Sequence, residues 1–136
     1  MSRGRSFRTV ALGIAASVAV LLASCDSGPK AGDITATLTT SHTELGSVMF
    51  EVNALAPNTV EGLTAACSGC KAFLSTMSES KVRGIVTGPF SAGPLVHVSV
   101  SDRRTPEGYT IEVQQAALPN YETVSKVGIR LQFPTK

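Results

Sequence analysis

From Asp33 onward, apolar and polar residues alternate at a period of two, and clusters of Gly, Pro, Asn and Ser interrupt the alternation. That period puts successive side chains on opposite faces of a strand. Ile34, Ala36 and Leu38 alternate with Thr35, Thr37 and Thr39, which predicts a first strand with one apolar and one threonine face. Val48, Phe50, Val52 and Ala54 alternate with Met49, Glu51 and Asn53 in a second, which Ala56-Pro57-Asn58 ends. Thr59–Cys67 is weaker because Gly62 and Thr64 break its pattern, and a bulge is expected there. Lys71–Ser75 is short and reads as an edge.

Four stronger segments follow. Lys81–Thr87 is bounded by Gly88-Pro89 and carries Val82 and Val86 on one side. Leu95–Ser101 sets Val96, Val98 and Val100 inward, with His97 and Ser99 opposite. Tyr109–Ala117 alternates Tyr109, Ile111 and Val113 with Thr110, Glu112 and Gln114. Val127, Ile129, Leu131 and Phe133 alternate with Gly128, Arg130 and Gln132 in a last strand. Thr105-Pro106-Glu107-Gly108 has Pro and Gly where a type I turn prefers them. Helical signals are nearly absent; Lys71–Glu79 lacks an apolar stripe of helical period. Short strands with turn chemistry between them predict an all-β fold, an antiparallel β-sandwich of seven or eight strands over residues 33–136. A small barrel is the alternative.

The first part of the chain is built differently. Arg3, Arg5 and Arg8 precede Thr9–Leu22, a 14-residue stretch without charge. A positive region followed by an apolar run and small residues is the layout of a cleaved signal peptide. A membrane-spanning helix needs about 20 apolar residues, so the run is too short to cross. Leu22-Ala23-Ser24-Cys25 resembles the lipobox of bacterial lipoproteins. The resemblance implies that residues 1–24 are removed and that Cys25 becomes the N-terminus. It further implies that Cys25 carries diacylglycerol, with fatty acids such as palmitate, and that the protein sits in the cell envelope. The membrane, reached through that lipid, is its first expected partner, on a side facing the periplasm or exterior. Two or three acyl chains give stable anchoring, whereas one gives marginal binding. Residues 25–32 would then be the lipidated end and a short tether. Extended, the residues after Cys25 reach about 25 Å, which keeps the domain near the membrane.

Without residues 1–24 the chain has 112 residues, enough for one domain with one core. Three of the twelve basic residues lie in the leader, leaving nine against ten acidic ones. Arg103-Arg104 is the only adjacent basic pair, and it stands beside Asp102 in an expected turn. Nothing here suggests nucleic acid as a partner. Trp is absent, and Phe50, Phe73, Phe90 and Phe133 fall in apolar contexts that suit a core. Only Tyr109 and Tyr121 read as exposed rings, so an aromatic sugar-binding platform has little to stand on.

Cys67-Ser68-Gly69-Cys70 is the one motif with chemical potential. In an all-β pattern outside the cytosol it reads as a structural disulfide closing a turn tipped by Ser68-Gly69. The contrasting reading is a redox pair, which needs a following helix to activate the first thiol. A zinc site would need further Cys or His ligands. Only His42, expected in a loop, and His97, expected solvated on an outward face, are at hand. Glu51, Glu61 and Glu112 fall on outward strand positions, Asp33 and Asp102 at strand ends, and no nucleophile-elbow sequence occurs. No metal, cofactor or enzymatic activity is expected.

Gly46-Ser47-Val48-Met49-Phe50-Glu51-Val52 and Gly93-Pro94-Leu95-Val96-His97-Val98-Ser99-Val100 resemble inner strands of cohesin-like, immunoglobulin-like or carbohydrate-binding-module-like sandwiches. The resemblance bears on fold alone. The expected function is a non-catalytic binding or structural module that meets another envelope protein or a polymer. Its candidate surfaces are the Ser101–Gly108 loop and the Lys71–Ser75 edge. The alternative function is a thiol-redox or metal-handling lipoprotein that uses Cys67 and Cys70.

Overall fold

A computed structural model describes residues 28–135. The expected leader, Cys25 and the start of the tether lie outside the described residues. Two antiparallel sheets pack face to face. The strands are β1 (Gly32–Thr39), β2 (Leu45–Ala54), β3 (Val60–Ala65), β4 (Lys71–Thr76), β5 (Lys81–Phe90), β6 (Gly93–Val100), β7 (Tyr109–Ala117), β8 (Thr123–Val124) and β9 (Arg130–Gln132). One sheet has the order β3-β6-β1-β9 and the other β4-β5-β2-β7-β8. The all-β sandwich is therefore present.

The core lies where the alternation put it. Ile34, Ala36 and Leu38 of β1 and Val96, Val98 and Val100 of β6 face Val48, Phe50 and Val52 of β2 and Val82 and Val86 of β5, all buried. Burying such side chains contributes about 1.5–3 kcal/mol each, which makes this interface the main source of stability. Phe50 is the largest of the fully buried side chains, and it fits because Gly84 on the neighbouring strand leaves room. A Cβ at Gly84 would lie 2.6 Å from Phe50 Cζ and 2.5 Å from Leu63 Cδ1.

Nine strands are found among the described residues, rather than seven or eight. The added one, β8, is two residues long and too short to show alternation. The bulge expected in the third strand appears as a register shift between Val60 and Gly62. β5 does not stop at Gly88-Pro89 but continues until Phe90 pairs with Leu45. Pro89 is tolerated because β4 ends its pairing at Thr87 and the ladder with β2 shifts register there. The last strand is also shorter than its alternation suggested. Ile129 and Leu131 are buried, but Val127 is 86% exposed and Gly128 has φ +82°, so the chain enters β9 from a turn.

Two aromatic assignments reverse. Tyr109 is buried at 4% exposure, while Phe73 is 55% exposed. Phe73 pairs with Ile85 on the outer face of its sheet, at the edge strand β4, so only one neighbouring strand shields it. Tyr121 is exposed as expected, in a turn where it adopts φ 71°.

Candidate functional site

The sandwich is least complete along β7. On one flank β7 pairs with β2 from Ala54–Tyr109 to Ser47–Ala117. On the other flank β8 meets only Ala116 and Ala117. Tyr109–Gln115 thus has no ladder partner on that side among the described residues. The turn at Leu118–Glu122, where Leu118 N–H donates to the Glu122 carbonyl at 2.8 Å, starts the pairing, and a second turn directly after β8 ends it: Val127 N–H donates to Ser125 Oγ at 3.2 Å and Ile129 N–H to the Lys126 carbonyl at 3.1 Å.

In the facing sheet, β9 pairs with β1 over Thr37–Thr39 alone. Between the free flank of β7 and the short β9 runs a trough made of two contiguous grooves, about 640 and 480 Å³, which share Ile111, Leu131 and Gln132. The lower groove reaches Pro106, Glu107 and Phe133; the upper reaches Glu112, Lys126 and Arg130. Ile111 pairs with the buried Val52 and so points toward the interior, yet it remains partly exposed. Its neighbours on the same face, Tyr109 and Val113, are buried. Ile111 stays partly open because β9 closes against this flank of β7 without forming a ladder with it.

The lower wall is held by Tyr109 and the Ser101–Gly108 connection. The Tyr109 hydroxyl donates to the Asp102 carbonyl at 3.1 Å and accepts from the Asp102 amide at 3.2 Å. The Asp102 carboxylate accepts from Arg104 N–H at 3.0 Å and Lys30 N–H at 3.3 Å. The Arg104 backbone bond foremost, then that of Lys30, holds the carboxyl below its ordinary pKa against the opposing effect of burial. Asp102 therefore joins the start of the described chain to the loop that leads into β7. The expected turn is present, with Gly108 N–H donating to the Thr105 carbonyl at 2.9 Å.

Cys67 and Cys70 come together at disulfide distance, 2.03 Å between sulfurs. Ser68 and Gly69 form the exposed tip, with Gly69 at φ +75°. The turn carries the chain from β3 in one sheet to β4 in the other. Residues after Cys70 form a strand, so the helix N-terminus that lowers a thiol pKa in helix-mounted pairs has no counterpart here. His97 is half-buried rather than solvated, with Nδ1 2.8 Å from Thr35 Oγ1 across the β1–β6 ladder. His42 lies between strands, its amide donating to Thr40 Oγ1 at 3.1 Å. Glu51 is partly buried, in an ion pair with Arg83 at 2.9 Å. Among the described residues no three His, Cys, Asp or Glu side chains converge as a metal site would require.

Of the two surfaces read from sequence, the Ser101–Gly108 loop borders the trough through Pro106 and Glu107, and the β4 edge does not. The trough itself was missed. Its one sequence signal is that Gly128 and Pro134 leave room for only a short strand between them. No family model, curated protein or solved structure matches the chain.

Proposed function

We propose that this chain is a lipid-anchored protein of the bacterial cell envelope whose sandwich is a non-catalytic binding module. The observation that carries the reading is Leu22-Ala23-Ser24-Cys25, directly after an uncharged apolar run and a few residues before the first strand. Two further features support it. The described chain enters the sandwich at one end, beside Asp102 and Arg103, so a tether before Gly32 leaves the sides and far end open to partners. A trough with an apolar floor lies between β7 and β9, and the groups around it suit recognition better than bond-breaking.

Labelling a bacterial host with an alkyne fatty acid tests the anchor. The full chain should take up label, fractionate with membranes and lose residues 1–24. The Cys25→Ala variant should lose both the label and the cleavage. An unlabelled wild-type chain, or a precursor found free in the cytosol, would overturn the proposal.

A further inference from the structure

We propose that the end of the sandwich at which the chain enters is itself a membrane-docking surface, one that seats Leu55 and Met77 in the lipid interface. The inference deepens the lipid-anchor reading and rests on it. Lys30 is fixed to the domain: its carbonyl accepts from the Arg103 amide at 2.8 Å, and its own amide donates to the Asp102 carboxylate at 3.3 Å. Cys25 precedes that point by five positions. Fully extended, five residues span at most about 18 Å. A lipid on Cys25 would therefore keep this end of the domain close to the bilayer surface and facing it.

Three connections meet at the same end. The turn after β2 is tied to the loop before β7, because Leu55 N–H donates to the Gly108 carbonyl at 2.8 Å, and Asp102 in that loop holds Lys30. The hairpin between β4 and β5 joins them, with Ala54 N–H donating to the Ser80 carbonyl at 2.8 Å. Leu55 is 67% exposed and is followed by the exposed Ala56 and Pro57; Met77, in the hairpin, is 51% exposed. Apolar side chains presented beside basic ones suit the boundary between headgroups and acyl chains. Lys30, Lys81, Arg103 and Arg104 stand here against Glu79, Asp102 and Glu107. That surplus of basic charge is small, so apolar insertion carries the affinity and charge only assists it. Tyr121 is also exposed, but it follows β7 at the opposite end, and β2 runs its ten residues between the two ends, about 30 Å. Phe73 and Leu74 lie on the flank, along β4. The tether thus singles out Leu55 and Met77 among the exposed apolar side chains.

The test uses the full chain, purified from membranes of a bacterial host and reconstituted in vesicles of equal parts phosphatidylethanolamine and phosphatidylglycerol. Mass spectrometry of its N-terminal peptide first reads the state of Cys25. Leu55→Cys, Met77→Cys, Phe73→Cys and Tyr121→Cys each carry a polarity-sensitive fluorophore; Cys67 and Cys70 are paired and do not take it. Labels at 55 and 77 should shift to the blue and escape quenching by iodide, while those at 73 and 121 stay in water. Leu55→Ser/Met77→Ser changes two exposed side chains and should leave the circular dichroism spectrum unaltered. It should lower the ratio of seated to unseated domain, read from a label at Ser78→Cys, by about tenfold or more. An unmodified Cys25 would overturn the anchor and this inference together. An acylated Cys25 with labels at 55 and 77 in water would overturn the docking surface alone, whether or not the label at 73 is dry. Shielding that disappears when the protein is diluted to one chain per vesicle would overturn the lipid contact in favour of a second copy.

Discussion

The Tyr109 hydroxyl closes a two-way hydrogen bond with the Asp102 backbone, donating to its carbonyl and accepting from its amide. The two residues bracket the connection that carries the chain from β6 in one sheet to β7 in the other. The arrangement is similar in kind to the tyrosine corners of other sandwiches. Tyr109→Phe keeps the ring and removes the oxygen, leaving a buried amide and carbonyl without their partner. The expected loss is about 1–3 kcal/mol. Urea unfolding should show a lower midpoint at an unchanged slope.

The carboxyl of Asp102 should make stability depend on acid. Its pKa is lowered in the folded state, first by the Arg104 amide and then by the Lys30 amide. A lowered folded pKa contributes stability above the unfolded value of about 3.9, and that contribution is lost as pH falls through the folded pKa. Asp102→Asn should therefore be less stable than wild type at neutral pH. The gap in melting temperature should hold steady down to mildly acidic pH and then narrow. A gap that stays constant into strong acid would show that the carboxylate charge is not what matters.

Gly84 should tolerate no side chain. A methyl there meets the fully buried Phe50 ring at 2.6 Å, and only the end of Leu63 can swing aside easily. Gly84→Ala should cost about 1–3 kcal/mol through overpacking. Gly62→Ala is the control, because its nearest neighbour would be Ser99 Cβ at 3.8 Å. The two variants, compared by thermal unfolding, should differ clearly.

Opening the Cys67–Cys70 bond should leave the sandwich folded. The partners are three positions apart, so the closed loop is small. Loop-closure entropy for so short a ring gives at most about 2 kcal/mol. Cys67→Ser/Cys70→Ser should fold and lose no more than that in chemical denaturation. A redox pair would behave differently: its potential would lie near those of catalytic oxidants instead of below about −300 mV.

The sequence shows some of these features plainly and hides others, for physical reasons. Strands buried on one face announce themselves by alternation, which is why β1, β2, β6 and most of β5 could be read directly. Leu95 and Val96 are both buried because the β1–β6 ladder shifts register after Ala36, an event that leaves no mark in a period-two pattern. Tyr109 has a polar tip that suits a surface equally well; only the fold brings the Asp102 backbone to its hydroxyl. Phe73 looks like a core residue by composition, and its exposure follows from its strand being last in the sheet. The trough is the hardest feature to foresee, because it consists of pairing that does not occur. The extent of β7's partners depends on where the chain turns away after Val124, and a period-two pattern does not record that.

The place of β1 within its sheet has a mechanical consequence. β1 is flanked by β6 along most of its length and by β9 at its far end, and the chain enters it at Gly32. Traction applied ahead of Gly32 against the far end of the domain would run along the strand axis. Inter-strand bonds in an antiparallel pair lie across that axis, so they would be sheared as a group and not peeled one at a time. A domain whose first strand lies inside its sheet resists being pulled open from that end better than one whose first strand lies at a rim.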